Sequence, residues 1–244
     1  MHRTAAVLAA FLAVAVAACG LAPDAPYTDV TFYWQFQDRA GNRFGDFTAV
    51  NPGCGISGAG GIANVDHVRV TMNGPAGPIL LTVPCVAVNG MPGATFTAVP
   101  TGPYTWTLEG MRVGLPVFIA EGTGTLTNFP AIDVTMLAVY PNLDLHYDWP
   151  LGGSCAGVAE ITFELDNLDA QIVEYSSRNA FVACGAPYGF TMPSIPVGNR
   201  YRFPFVRAVD RAGFVLSQAC GGVGPLVQPS SGTSATAHLM QLCP

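Results

Sequence analysis

Lysine is absent from this 244-residue chain, histidine occurs four times, and charged residues make up only 11% of it. With ten arginines and no basic run, the chain has little with which to neutralise a row of phosphates, which argues against nucleic acid as a partner. Past the first eighteen residues no window of twelve or more keeps a helical period, which argues against an α-helical scaffold. No two cysteines lie within four residues of one another, so neither CxxC redox spacing nor zinc-knuckle spacing occurs. The one long uncharged apolar run is Ala5 to Ala18. What the chain has in quantity is Gly, Pro and Thr, the composition of short strands joined by tight turns.

That apolar run follows Met1-His2-Arg3-Thr4 and ends in small residues, which is the plan of an export signal. As a helix it rises about 21 Å, short of a ~30 Å hydrocarbon core, so a retained membrane span is not expected. Val16-Ala17-Ala18-Cys19 resembles the lipobox of bacterial lipoproteins. The resemblance implies cleavage between Ala18 and Cys19, diacylglycerol on the Cys19 thiol and acylation of the new amine. Residues 1–18 are then a signal peptide and 19–27 a lipidated N-terminus and tether. One acyl chain anchors marginally and two or more anchor stably, so the expected partner is a membrane, reached through this anchor. Gly20 stands where an aspartate would be the usual inner-membrane retention signal in many Gram-negative bacteria. The expected location is the cell envelope, at the outer rather than the inner membrane. Without the leader the chain has 226 residues, nine Arg and 16 Asp plus Glu, a formal charge of −7. That length suits one large or two ordinary domains.

The mature sequence repeats itself. Val30, Phe32, Trp34 and Phe36 alternate along one stretch, and Leu143, Leu145, Tyr147 and Trp149 along another; each set predicts a strand with one buried stripe. A Gly-rich loop with a cysteine follows each, at Cys54 and Cys155. The segment from Ala63 to Met72 aligns with that from Ala156 to Leu165, predicting that Val68, Val70 and Met72 face inward as Ile161, Phe163 and Leu165 do. A second cysteine follows, Cys85 and Cys184. Pro–Gly turns then open strands carrying Tyr104, Trp106 and Leu108, and Tyr201, Phe203 and Phe205. A tyrosine just after such a turn is similar to the tyrosine corner of immunoglobulin-like sandwiches. Both copies end on alternating strands, Ile132 to Val139 and Ala235 to Leu242. Six to eight short strands per copy predict two tandem antiparallel β-sandwich domains, residues 28–140 and 142–244, held in fairly fixed orientation by a short proline-stiffened junction.

This order of strand, cysteine, strand, cysteine and Pro–Gly–Tyr turn resembles the immunoglobulin-like or carboxypeptidase-regulatory-like repeats of poorly characterised bacterial lipoproteins. The resemblance covers nearly the whole mature chain and implies no catalytic residue. The first copy departs from the second by a longer insertion after Trp34, and the second adds Cys220 and Cys243. With Cys19 assigned to lipid, six cysteines remain in an exported chain, which suggests three disulfides. Equivalent positions in the copies favour Cys54–Cys85 and Cys155–Cys184 among the fifteen pairings, leaving Cys220–Cys243 to tie the second domain's last strands. Rings of this size stabilise by roughly 3–4 kcal/mol each in the loop-entropy account.

Several motifs invite a functional reading. Gly53-Cys54-Gly55-Ile56-Ser57-Gly58 matches a dinucleotide fingerprint, but more glycine and a strand follow where a helix is required. Ser57 lacks the final glycine of G-x-S-x-G. Asp144, His146 and Asp148 share one face of a strand and have metal-ligand chemistry, yet successive side chains on a face stand ~7 Å apart, and the expectation is a solvated face without metal or other cofactor. Glu164, Asp166 and Asp169 surround a hairpin turn without calcium-loop spacing, and His67 reads as a surface residue. The best binding candidate is the insertion from Gln37 to Val50, with Arg39, Arg43, Phe44 and Phe47 among its glycines, since long aromatic-bearing loops commonly carry binding residues. A glycan or an envelope protein would suit such a loop. The expected function is that of a non-enzymatic, lipid-anchored surface protein serving in recognition, adhesion or as a spacer. Two alternatives stand beside it: a metal- or glycan-dependent secreted enzyme using Asp144, His146 and Asp148, and an accessory subunit of an outer-membrane complex.

Overall fold

The computed structural model describes residues 26–44, 54, 63–85, 93–128, 130–177, 182–185, 188–241 and 243. Among them there are seventeen strands and no α-helix, and the strands form two sheets. The first holds β1 (Tyr27–Gln37), β2 (Arg43–Phe44), β3 (His67–Gly74), β4 (Gly77–Pro84), β5 (Gly93–Pro100), β6 (Gly102–Arg112), β7 (Leu115–Leu126) and β8 (Ala131–Ala138). The second holds β9 (Leu143–Asp148), β10 (Glu160–Asn167), β11 (Ile172–Ser176), β12 (Gly189–Met192), β13 (Arg200–Phe203), β14 (Val206–Val209), β15 (Val215–Ala219), β16 (Val223–Val227) and β17 (Thr233–Met240).

Each sheet doubles over into a sandwich. β7 meets β8 only where Phe118 lies opposite Ala138 and Ile119 opposite Leu137, so the β5-β1-β8 half turns to face the β7-β6-β3-β4 half. Aromatic rings fill the space between: Phe36 of β1 lies 4.9 Å from Phe118 of β7, and Phe32 lies 5.7 Å from Trp106 of β6. The second sheet narrows in the same way between β15 and β17, and Phe163 of β10 meets Phe190 of β12 at 5.4 Å across its core.

The two sandwiches share one pairing scheme. β1 pairs antiparallel with β5 and parallel with β8; β9 pairs antiparallel with β12 and parallel with β17. The expected antiparallel sandwiches are thus present, each with one parallel ladder added between its first and last strands. Parallel neighbours need a long crossover connection, here the whole of the sandwich between its first and last strands, and local alternation carries no sign of it.

Inward positions follow the alternation. Val30, Phe32, Trp34, Phe36, Val68, Val70 and Met72 are buried, as are Leu143, Leu145, Tyr147, Ile161, Phe163 and Leu165. Trp149 lies one residue beyond β9, half-buried, edge-on to Tyr147 at 5.8 Å, and donates its Nε1–H to the Ser217 hydroxyl. Phe205 departs from the expected stripe. Pro204 has no N–H for a ladder, and it separates β13 from β14 where the first copy has the unbroken β6. The phase slips by one, Val206 is buried in place of Phe205, and the Phe205 ring lies 4.6 Å beneath the Arg207 guanidinium. The facing arm breaks as well, between β15 and β16, where a Cβ on Gly222 would come within 2.3 Å of the Phe203 carbonyl oxygen.

Three disulfides join Cys54–Cys85, Cys155–Cys184 and Cys220–Cys243, with Cα atoms 5.5, 5.6 and 5.4 Å apart. These are the pairs that the repeat favours. Cys220 sits at the interruption between β15 and β16, and Cys243 follows β17. Both turn tyrosines make a corner: Tyr104 donates its hydroxyl to the Pro100 carbonyl at 3.0 Å, and Tyr201 donates to Pro196 at 2.8 Å. Tyr104→Phe and Tyr201→Phe should each destabilise by about 1 kcal/mol, with the Tyr201 change the larger because its surroundings are drier. Urea unfolding measures this, and midpoints equal to the parent's would show that the corners contribute nothing.

Candidate functional site at the junction of the sandwiches

β6 carries its apolar residues at even positions, and Arg112, the last of that phase, is carried into the interior with them. Its side chain is fully buried. Nε donates to the Asn64 carbonyl at 3.0 Å and Nη2 to the Ala63 carbonyl at 2.7 Å, both within the first sandwich. Across the junction Nη1 donates to the Ser194 carbonyl and Nη2 to the Pro193 carbonyl, each at 3.0 Å. Glu174 of β11, also buried, stands 3.5 Å from Nη1, and the guanidinium lies 5.5 Å over the Tyr175 ring. Burial presses the Arg112 guanidinium below its ordinary pKa, and the Glu174 carboxylate works against that shift. Burial pushes the Tyr175 hydroxyl well above the usual tyrosine range.

The linker is held from both sides. Ile195 N–H donates to the Pro141 carbonyl at 2.9 Å, and the buried Gln228 amide donates to the Asn142 carbonyl at 2.9 Å. From the first sandwich, the Asp38 carboxylate accepts the Asn142 side-chain amide at 2.9 Å. Asp38 also closes its own loop, accepting the backbone N–H of Ala40 at 2.9 Å and of Asn42 at 2.8 Å. Ser194, buried, donates to the Val117 carbonyl and accepts the Tyr140 N–H at 3.1 Å.

Beside this linker opens a polar cleft of about 530 Å³. Arg39 and Ala40 form one wall, Pro141, Asn142 and Asp144 the floor, and the turn from Ser230 to Ser234 the other wall. Gly232 lets that turn approach the linker: its φ is +85°, and a Cβ there would stand 2.9 Å from the Asn142 carbonyl oxygen.

The cleft joins members of two sequence-derived sets. Arg39 of the insertion lines it and donates to the Val139 carbonyl. Arg43 is exposed on β2, opposite Gln37. Phe44 is buried in the first core, so it is lost to any ligand; pairing of β2 with β1, Phe44 opposite Phe36, turns its ring inward. Phe47, like Ala18 and Cys19, lies outside the described residues. The strand-face set divides. Asp144 accepts the Thr191 hydroxyl at 2.6 Å, Asp148 pairs with His238 of β17 at 2.6 Å, and His146 is exposed between them. Among the described residues no group of three or more His, Cys, Asp or Glu is placed to hold a metal ion. Asp169 of the β10–β11 turn pairs with Arg200, accepting Nη2 at 2.6 Å and Nε at 2.9 Å, and these bonds hold its carboxyl below the usual carboxylate range.

Sequence reasoning missed Arg112, Glu174 and Asp38. The signal for Arg112 was its phase, a cation in step with Tyr104 and Leu108; nothing in the sequence pairs it with Glu174.

No protein-family model matches the chain, and no curated protein matches it. Among solved structures, the fimbrial anchor protein Mfa2 of Porphyromonas gingivalis is similar at 12% identity and a TM-score of 0.30, over 83% of each chain. The minor pilin GBS52 of Streptococcus agalactiae is similar at 10% and 0.30, over 89% of this chain and 97% of that one. A variant of the shaft pilin SpaA of Lactobacillus rhamnosus GG is similar at 10% and 0.31, over 89% and 99%. Scores of this size fall short of a shared fold, and the two sandwiches are assigned from strand pairing and packing alone.

Truncating Arg112 leaves Glu174 buried without its cation. Arg112→Ala should cost about 3–5 kcal/mol, and small-angle scattering should show the two sandwiches moving apart. Arg112→Lys should not restore the parent, since one ammonium cannot reach four carbonyls set out for a planar fork.

Proposed function

We propose that the chain is a non-enzymatic, lipid-anchored protein of the cell envelope, at the outer membrane, that holds a recognition surface away from the bilayer. The observation that carries this reading is the Arg112 junction. It joins two sandwiches into one stiff body, as a spacer requires, and places a polar cleft at the joint. The likeness of Val16-Ala17-Ala18-Cys19 to a lipobox supplies the anchor. A second reading, an accessory subunit of an outer-membrane complex, is favoured by Phe214, Val215 and Leu216, three consecutive apolar residues that are 71, 47 and 37% exposed.

The anchor is tested by fractionation. Cys19→Ser should move the protein to the soluble fraction, abolish incorporation of labelled palmitate and leave its near-UV circular dichroism unchanged; membrane retention of the variant would overturn the proposal. On that soluble form, Phe214→Ser should be neutral in a spacer. It should abolish co-purification of a defined envelope protein if the subunit reading holds.

A further inference from the structure

We propose that the junction cleft binds a neutral, hydroxyl-rich oligosaccharide, an inference that rests on the recognition role proposed above and gives it a ligand class. The cleft's volume of about 530 Å³ lies within the range of small-ligand sites. Its polar inventory is balanced. Arg39 is a pure donor, Asp144 a pure acceptor, and Ser230, Ser231, Thr233 and Ser234 carry hydroxyls that do both. A sugar hydroxyl also does both, so neighbouring hydroxyls of one ring can accept from Arg39 and donate to Asp144.

Charge selects against anionic ligands. The cleft holds the Arg39 guanidinium and the Asp144 carboxylate, and the Asp38 carboxylate bonded to Asn142 of its floor adds a second negative charge, so its field does not draw an anion. The whole chain carries a formal charge of −6, which disfavours the approach of an acidic polymer. Among the described residues no aromatic ring lines the cleft; their contribution to binding comes from hydrogen bonds rather than stacking, and discriminates by the stereochemistry of the hydroxyls.

The walls are fixed independently of any ligand. Arg39 is tied to the Val139 carbonyl, its loop is closed on the Asp38 carboxylate, and Asp144 is held by Thr191. The opposite turn lies against the linker at Gly232. Because the walls come from both sandwiches, the Arg112 bonds across the junction set the cleft's width. Such preorganisation lowers the ordering cost of binding.

The test is affinity electrophoresis of the soluble Cys19→Ser chain through gels containing mannan, galactan, dextran or, as the acidic control, alginate. At least one neutral polymer should retard the chain. Arg39→Gln and Asp144→Asn should each weaken that retardation about tenfold, the scale of one charge-assisted hydrogen bond. Ser231→Trp, an exposed position where a large ring fills the cleft without entering either core, should abolish it with the urea midpoint unchanged. Failure of every neutral polymer, retardation by alginate alone, or retardation that survives Ser231→Trp would overturn the inference. The envelope reading is judged separately: if the parent is membrane-bound and Cys19→Ser is not, the anchor stands even where the ligand class falls.

Discussion

A guanidinium taken wholly out of water must recover its hydration from the protein, and in this chain that requirement shapes the joint between the sandwiches. Desolvating an ion costs several kcal/mol even after the protein relaxes, and one opposite charge seldom offsets it. Arg112 has Glu174 and, in addition, four carbonyl oxygens. Two of these carbonyls belong to each sandwich. A planar fork can donate to all four in one arrangement only, so the bonds that solvate the cation also fix the angle between the domains. An apolar joint of the same area could slide by a side chain's width; this one cannot without stranding a charge.

Tandem placement gives equivalent loops unequal work. The loop after β1 faces the second sandwich, where Asp38 binds the linker through Asn142. Its counterpart after β9 faces solvent, and there Leu151 is 87% exposed. Divergence in the second copy follows a similar logic. Pro204 and Gly222 interrupt the hairpin that is continuous in the first, removing ladder bonds. The extra disulfide fastens that interruption, through Cys220, to the end of the chain.

The fold was largely legible because its determinants are local. Period-two alternation in β1, β3, β9 and β10 names the buried residues, and the spacing of cysteines in two copies names the pairs. What escaped was non-local or displaced by one residue. The parallel ladders of β1 with β8 and β9 with β17 depend on how the chain returns, not on any segment's composition. Phe205 was placed inward by counting in twos across a proline that resets the count. The candidate site was half legible. Arg39 and Asp144 each stood out for their chemistry, but they belonged to separate sets. Only the joint, itself made by a buried Arg–Glu pair 62 positions apart, brings them to one cleft.

Strand direction then decides what the cleft can reach. β1 begins at Tyr27, the first strand residue after the proposed tether, and ends beside Asp38 at the junction. Its eleven residues span about 35 Å at the rise of an extended strand. On the proposed anchoring, a lipid on Cys19 would hold the opposite pole of the first sandwich, which would then act as the spacer and set the cleft one domain-length above the bilayer. That height would exceed the Debye length at physiological salt, about 8 Å. The surface potential of the membrane would therefore be screened at the cleft, and the proposed recognition would depend on the cleft's own donors and acceptors. Closer to an anionic surface Arg39 would be drawn to headgroups; at such a distance its donors would remain available to the cleft.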